Sequence, residues 1–207
     1  MKGSNGKPET DREWALRTFR EQGGLLRTGE ALRLGMHPRT LYALRDCGAL
    51  EQVTRGVYRL AELAPLGSPD LVAVAKRVPE GVICLISALA FHELTTQIPH
   101  AVYVAVRKGR ALPRLDYPPV EVFQFREAAF SAGVEEHLVD GEGVRIYGPE
   151  KTIADCFKFR NRMGLDVVLE AVRLYRLRGR TDVQALLQYG RICRVERVMR
   201  PYLEALL

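Results

Sequence analysis

Apolar residues recur at helical spacing over the first fifty positions and at strand spacing over the next ten, which marks out a small module. Trp14, Leu16 and Phe19 anchor a predicted helix from about Glu9 to Gln22, stopped by Gly23-Gly24. Thr28 reads as the N-cap of a second, short helix carrying Ala31, Leu32 and Leu34, with Gly35 as the break. Pro38 suits the first position of a third helix, built on Leu41 and Leu44, running to about Cys47 and stopped by Gly48. Leu50 to Thr54 and Val57 to Leu60 flank Arg55-Gly56 and read as a hairpin. The expectation is a winged helix-turn-helix over residues 9–62. The polar, Gly- and Lys-bearing stretch 1–8 is expected to be disordered, and 63–68 to be a linker.

Beyond the linker the pattern changes. Ser68-Pro69-Asp70 opens a helix to about Arg77, Val82 to Ile86 reads as a buried strand, and Ser87 is placed to cap a helix carrying Leu89, Phe91 and Leu94. Ala101 to Val106 and Val120 to Phe125 read as strands. Val134 to Val139 and Val144 to Tyr147 form a hairpin about Asp140–Gly143. Four helices follow: Pro149 to about Phe159, Asp166 to Leu177, Asp182 to Tyr189 and Arg194 to Leu206. Strands and helices do not alternate as a doubly wound sheet requires. The predicted class is therefore α+β: an N-terminal winged helix-turn-helix plus a C-terminal mixed α+β domain (residues 69–207) with a helical tail.

With Leu41 and Leu44 facing inward, a period of 3.6 turns Arg39, Tyr42, Ala43 and Asp46 outward, with Thr40 on the flank. This is the geometry of a helix inserted into the DNA major groove. Arg39 suits a guanine edge or a phosphate, Thr40 and Tyr42 suit phosphates, and Ala43 suits a thymine methyl. The predicted DNA-binding set is His37, Arg39, Thr40, Tyr42 and Ala43, with Arg55 and Arg59 on the wing. The competing reading is a winged helix that faces protein, and Asp46 favours it, because a carboxylate beside phosphates opposes binding.

The net charge of +6 is distributed unevenly: +3 over residues 1–62, −2 over 63–145 and +5 over 146–207. Two basic ends suit a polyanion at the front and a second contact at the back. Lys158, Arg160 and Arg162, interleaved with Phe157 and Phe159, are secondary basic candidates. They also fit a plain helix end, where cations favour the dipole. Cys47, Cys84, Cys156 and Cys193 are scattered among apolar neighbours without a CxxC pair, the usage of buried free thiols in a reducing compartment. The N-terminus has no apolar run and no segment approaches a membrane span, so a soluble, cytoplasmic protein is expected.

No catalytic set emerges. Glu150-Lys151 lacks the spacer of a metal-dependent nuclease triplet, His92-Glu93 has no nucleophile beside it, and Ser87 lies outside any Gly-x-Ser-x-Gly elbow. No phosphate-cradling glycine loop is present. No enzyme activity, cofactor or metal site is expected.

Three stretches carry a family resemblance. They are the wing RGVYRL (Arg55 to Leu60) after GALEQVT, CLISALAFHELTTQIPHAVYVAV (Cys84 to Val106), and GPEKTIADCFKFRNRMGLDVVLEAVRLY (Gly148 to Tyr175) with the PYLEAL tail. Their order and combination over residues 25–207 resemble the AbiEi family of type IV antitoxin transcriptional regulators. The resemblance implies a winged-helix domain that represses its own operon through inverted repeats in operator DNA. It also implies a C-terminal antitoxin domain that counteracts a nucleotidyltransferase-like toxin without a stable complex, in phage defence. His37 and Asp46-Cys47 depart from what such regulators usually carry at those positions. No antitoxicity residues can be transferred by motif.

Overall fold

The computed structural model describes residues 9–110, 115–179 and 181–206, so the disorder expected of residues 1–8 lies outside the described residues. The chain forms two compact units, Met1–Pro69 and Asp70–Leu207.

In the first unit α1 (Asp11–Glu21) starts at a reciprocal capping box between Thr10 and Glu13. Then follow β1 (Leu25–Arg27), α2 (Thr28–Arg33), α3 (Pro38–Asp46), β2 (Leu50–Thr54) and β3 (Val57–Leu60). Phe19, Leu26, Met36, Leu41, Leu44 and Leu60 fill a core closed by Trp14. Two expectations are corrected. Thr28 is the first residue of α2 and not its cap. The cap is Arg27, whose backbone N–H donates to the Glu30 carboxylate at 2.8 Å. Moreover, β1 is a strand that the pattern did not announce. It pairs antiparallel with β3 and makes β3 the middle of a three-stranded sheet ordered β1-β3-β2.

In the second unit α4 (Pro69–Arg77) is followed by β4 (Val82–Ile83), α5 (Leu85–Phe91), β5 (Val102–Arg107), β6 (Val120–Phe125) and the short α6 (Glu127–Ser131). Then come β7 (Val134–Val139), β8 (Glu142–Tyr147), α7 (Pro149–Lys158), α8 (Arg160–Met163), α9 (Leu165–Leu177), α10 (Val183–Cys193) and α11 (Glu196–Leu206). The sheet runs β6-β5-β4-β8-β7. The β5–β6 and β4–β8 pairs are parallel, and β4–β5 and β7–β8 are antiparallel. The β7–β8 turn is only Asp140-Gly141, both at positive φ (50° and 83°), the two-residue hairpin that Asp-Gly favours. Strands with helices packed on them and a helical tail make the fold α+β.

The strand expected over Val82 to Ile86 stops at Ile83, because Leu85 turns the backbone to φ 47° and starts α5. Ser87 is therefore inside α5, not at its cap. Its Oγ accepts the Tyr103 backbone N–H at 2.9 Å and donates to the Ala101 carbonyl at 3.3 Å, which ties α5 to β5. At the centre of the unit α7 buries a whole ion pair, Lys151 with Asp155 one turn on, and the Cys193 thiol donates to the second Asp155 oxygen at 3.1 Å. Lys151 Nζ also lies 4.0 Å from the Tyr147 ring centroid. Burial raises the Asp155 pKa against the pull of Lys151, and it pushes the Cys193 thiol up to about 12. α10 extends past the expected Tyr189 to Cys193, and Arg194, left-handed at φ 62°, ends it before α11.

Candidate nucleic-acid interface

α2, the turn at Leu34–His37 and α3 form the helix-turn-helix, and β2 and β3 form the wing. α3 starts where Pro38 supplies a first-turn residue that needs no N–H partner. The cap is His37, whose Nδ1 accepts the Arg39 backbone N–H at 3.1 Å. In this capping tautomer the ring proton sits on Nε2, on an exposed side chain. Leu41 and Leu44 are buried, while Arg39, Tyr42 and Ala43 are exposed and Thr40 is half-buried on the flank. All five candidates on α3 and its cap thus lie on one solvent-facing surface. Among the described residues the Arg39 guanidinium makes no ion pair.

Asp46 is not a bare carboxylate. Arg45 reaches it at 2.7 Å and lies over the Tyr42 ring at 5.2 Å from its centroid. Arg45 therefore neutralises Asp46 and holds Tyr42 in place, a role the sequence reading missed because adjacent residues on a helix normally diverge.

On the wing Arg55 is exposed at the tip beside Gly56, which takes φ 76°. Arg59 does not join it there. The middle position of β3 buries Arg59 to 4% exposure. Its Nη2 donates to the Leu63 and Ala64 carbonyls, both at 2.6 Å, and its Nη1 stands 3.7 Å from the Glu51 carboxylate. The expectation of Arg59 as a DNA clamp is corrected: its cation ties down the segment after the wing.

The second basic set divides. Arg162 pairs with Glu121 at 3.1 Å and covers the Phe123 ring, and Arg160 donates to the Phe157 carbonyl at 3.0 Å. Both serve the helix end, the packing alternative. Lys158 is exposed and lines a cavity of about 530 Å³ with Lys108, Arg126 and Arg194. Among the described residues none of these four cations forms an ion pair. They stand at the ends of four different elements, β5, α6, α7 and α10, so only the topology brings them together.

One further expectation changes. Cys47 is exposed, with Arg12 Nη2 2.6 Å from its sulfur, while Cys84, Cys156 and Cys193 are buried free thiols. His92 is a core histidine whose Nε2 meets the Tyr147 carbonyl at 2.8 Å, and burial holds it below the usual imidazole range. No described helix is long and apolar enough to cross a membrane.

Residues 15–61, from α1 through β3, match the family model described as a transcriptional regulator, AbiEi antitoxin. No curated protein matches the sequence. Among solved structures, the crystal structure of the RV2827C protein from Mycobacterium tuberculosis is similar with a TM-score of 0.54 at 15% identity, covering 92% of this chain and 79% of that one. At that identity the likeness is one of fold.

Proposed function

We propose that this chain is a DNA-binding autorepressor and the antitoxin of a type IV toxin–antitoxin operon, opposing a nucleotidyltransferase-like toxin. The observation that carries the reading is the coincidence of the regulator-family match at 15–61 with a helix whose outward face is His37, Arg39, Thr40, Tyr42 and Ala43. The N-terminal end of α3 enters the major groove. There Arg39 reads a base edge, the Thr40 and Tyr42 hydroxyls fix register on phosphates, and Ala43 lies against a thymine methyl. Arg55 at the wing tip meets the flanking backbone. Asp46, the one feature favouring a protein-facing helix, has its charge compensated by Arg45. The cavity edged by Lys108, Arg126, Lys158 and Arg194 offers a second polyanion contact on the other unit. The partners in this reading are operator DNA, as inverted repeats, and a toxin opposed without a stable complex, all in the cytoplasm. No catalysis by this chain is invoked.

The test uses a reporter driven by the chain's own upstream region, beside growth of cells expressing the nucleotidyltransferase-type toxin encoded next to it. Wild type represses the reporter and restores growth, whereas Arg39→Ala loses repression and still restores growth. Full repression by Arg39→Ala, or no rescue by wild type, contradicts the reading.

A further inference from the structure

The regulator reading leaves unused a cluster in the second unit. α5 ends at its C-cap residue His92, and β7, an edge strand of the five-stranded sheet, carries Glu135 and His137 two residues apart and so on one face. The registers Val134↔Tyr147 and Glu135↔Ile146 bring these side chains to the end of β8, where the Tyr147 carbonyl holds His92. The imidazoles of His92 and His137 meet edge to face with centroids 5.7 Å apart, and the Phe91 ring stands 4.8 Å from His137 as an apolar wall. His137 Nε2 lies 3.0 Å from the Glu135 carboxylate. One ligand atom from each of His92, Glu135 and His137 lies within 4.8 Å of the others.

We propose that His92, Glu135 and His137 form a binding site for a single divalent transition-metal ion, with Zn²⁺ the best fit to two imidazoles and a carboxylate. The arrangement around His92 carries the inference. Its Nε2–H is committed to a backbone carbonyl, the outer-shell contact that orients a ligating histidine and leaves the ring's lone pair on Nδ1.

Bonds of about 2.0–2.1 Å put tetrahedral ligand atoms roughly 3.3 Å apart. Closing from 4.8 Å asks only for side-chain rotation of Glu135 and His137, which are 46% and 29% exposed. The ion takes the place of the hydrogen bond between those two groups, with His137 ligating as the neutral ring through Nε2 and carrying its one ring proton on Nδ1. The solvent side completes the coordination shell with water, and the ion fastens edge strand β7 to the end of α5. All three ligands lie in the second unit, so the site stands or falls apart from DNA reading by α3.

The experiment is a titration of the full-length, chelator-stripped protein with Co²⁺, followed by visible absorption, then with Zn²⁺ as displacing ion. One equivalent of Co²⁺ gives the intense d–d bands of a low-coordinate nitrogen–oxygen site, Zn²⁺ abolishes them, and Zn²⁺ raises the melting temperature. Glu135→Gln, at an exposed position, and His137→Ala, at a half-buried one, weaken Co²⁺ binding by about tenfold or more. His100→Ala and Cys47→Ser leave it unchanged. Absence of the bands, bands that survive in His137→Ala, or bands lost in Cys47→Ser overturn the proposal.

Discussion

His37 caps the helix that it introduces: its Nδ1 accepts the backbone N–H of Arg39, the residue proposed to read DNA. Cap and reader are thereby coupled, because the bond that closes the first turn of α3 also sets the direction in which Arg39 leaves it. Replacing His37 by Ala strands that N–H and destabilises the first unit by about 1 kcal/mol, whereas Asn, a good cap, retains the stability. Trp14, the single tryptophan, packs on the first unit's core, so urea unfolding followed by its fluorescence reads this unit directly.

Arg39→Ala acts in the opposite way. The side chain is exposed and forms no ion pair among the described residues, so stability stays within about 0.5 kcal/mol of wild type. Operator binding weakens by about 1–3 kcal/mol if the guanidinium meets a base. Fluorescence anisotropy with the upstream DNA gives the affinity, and the Trp14 unfolding curve serves as the control.

Arg59→Ala separates a structural arginine from a DNA contact. Two carbonyls lose their donor and a buried site is emptied, so the Trp14 transition moves by about 2–3 kcal/mol. The variant's folded fraction binds DNA with unchanged salt dependence. A stable Arg59→Ala protein with a reduced salt slope would restore Arg59 to the interface.

What the sequence reveals and what it hides are both visible on this wing. The spans of β2 and β3 follow from alternation, and the start of α3 follows from Pro38, because local signals decide both. The fate of Arg59 depends on β1, a strand of three residues directly after the Gly-Gly stop and too short to show a period, which turns β3 from an edge into a centre. The α3 surface was legible because Leu41 and Leu44 fix the phase of a helix. The basic cavity and the His92–Glu135–His137 cluster join residues up to 86 and 45 positions apart, and only the sheet order places them together.

Ser87 gives a related lesson and a prediction. Its position ahead of Leu89 and Phe91 looks like a cap, yet Leu85 starts the helix earlier and the hydroxyl serves β5 instead. Ser87→Ala leaves the buried Tyr103 N–H without that acceptor and lowers the second unit's stability by about 1–3 kcal/mol. Thermal unfolding by circular dichroism measures the loss.

Glu170 makes the second unit acid-sensitive. Hydroxyls of Thr96 and Thr95 and the Thr96 N–H all donate to its carboxylate, tying α9 to the loop after α5 and holding its pKa below the ordinary 4.5. For a carboxyl depressed in the folded state, the stabilisation is fully present above the unfolded value. It disappears as pH falls below 4.5 through the folded value. Unfolding free energy therefore drops across that acid window in wild type, and Glu170→Gln flattens the drop. An unchanged pH profile in the variant would show that this carboxylate does not contribute to it.

The most direct measurement is an anisotropy titration of the full chain against its own upstream DNA, beside scrambled DNA of equal length, at two salt concentrations. The account predicts tight binding to the upstream fragment that weakens as salt rises yet stays well above the scrambled control, with the gap closing in Arg39→Ala. Equal affinity for both DNAs at each salt concentration would contradict sequence reading by α3.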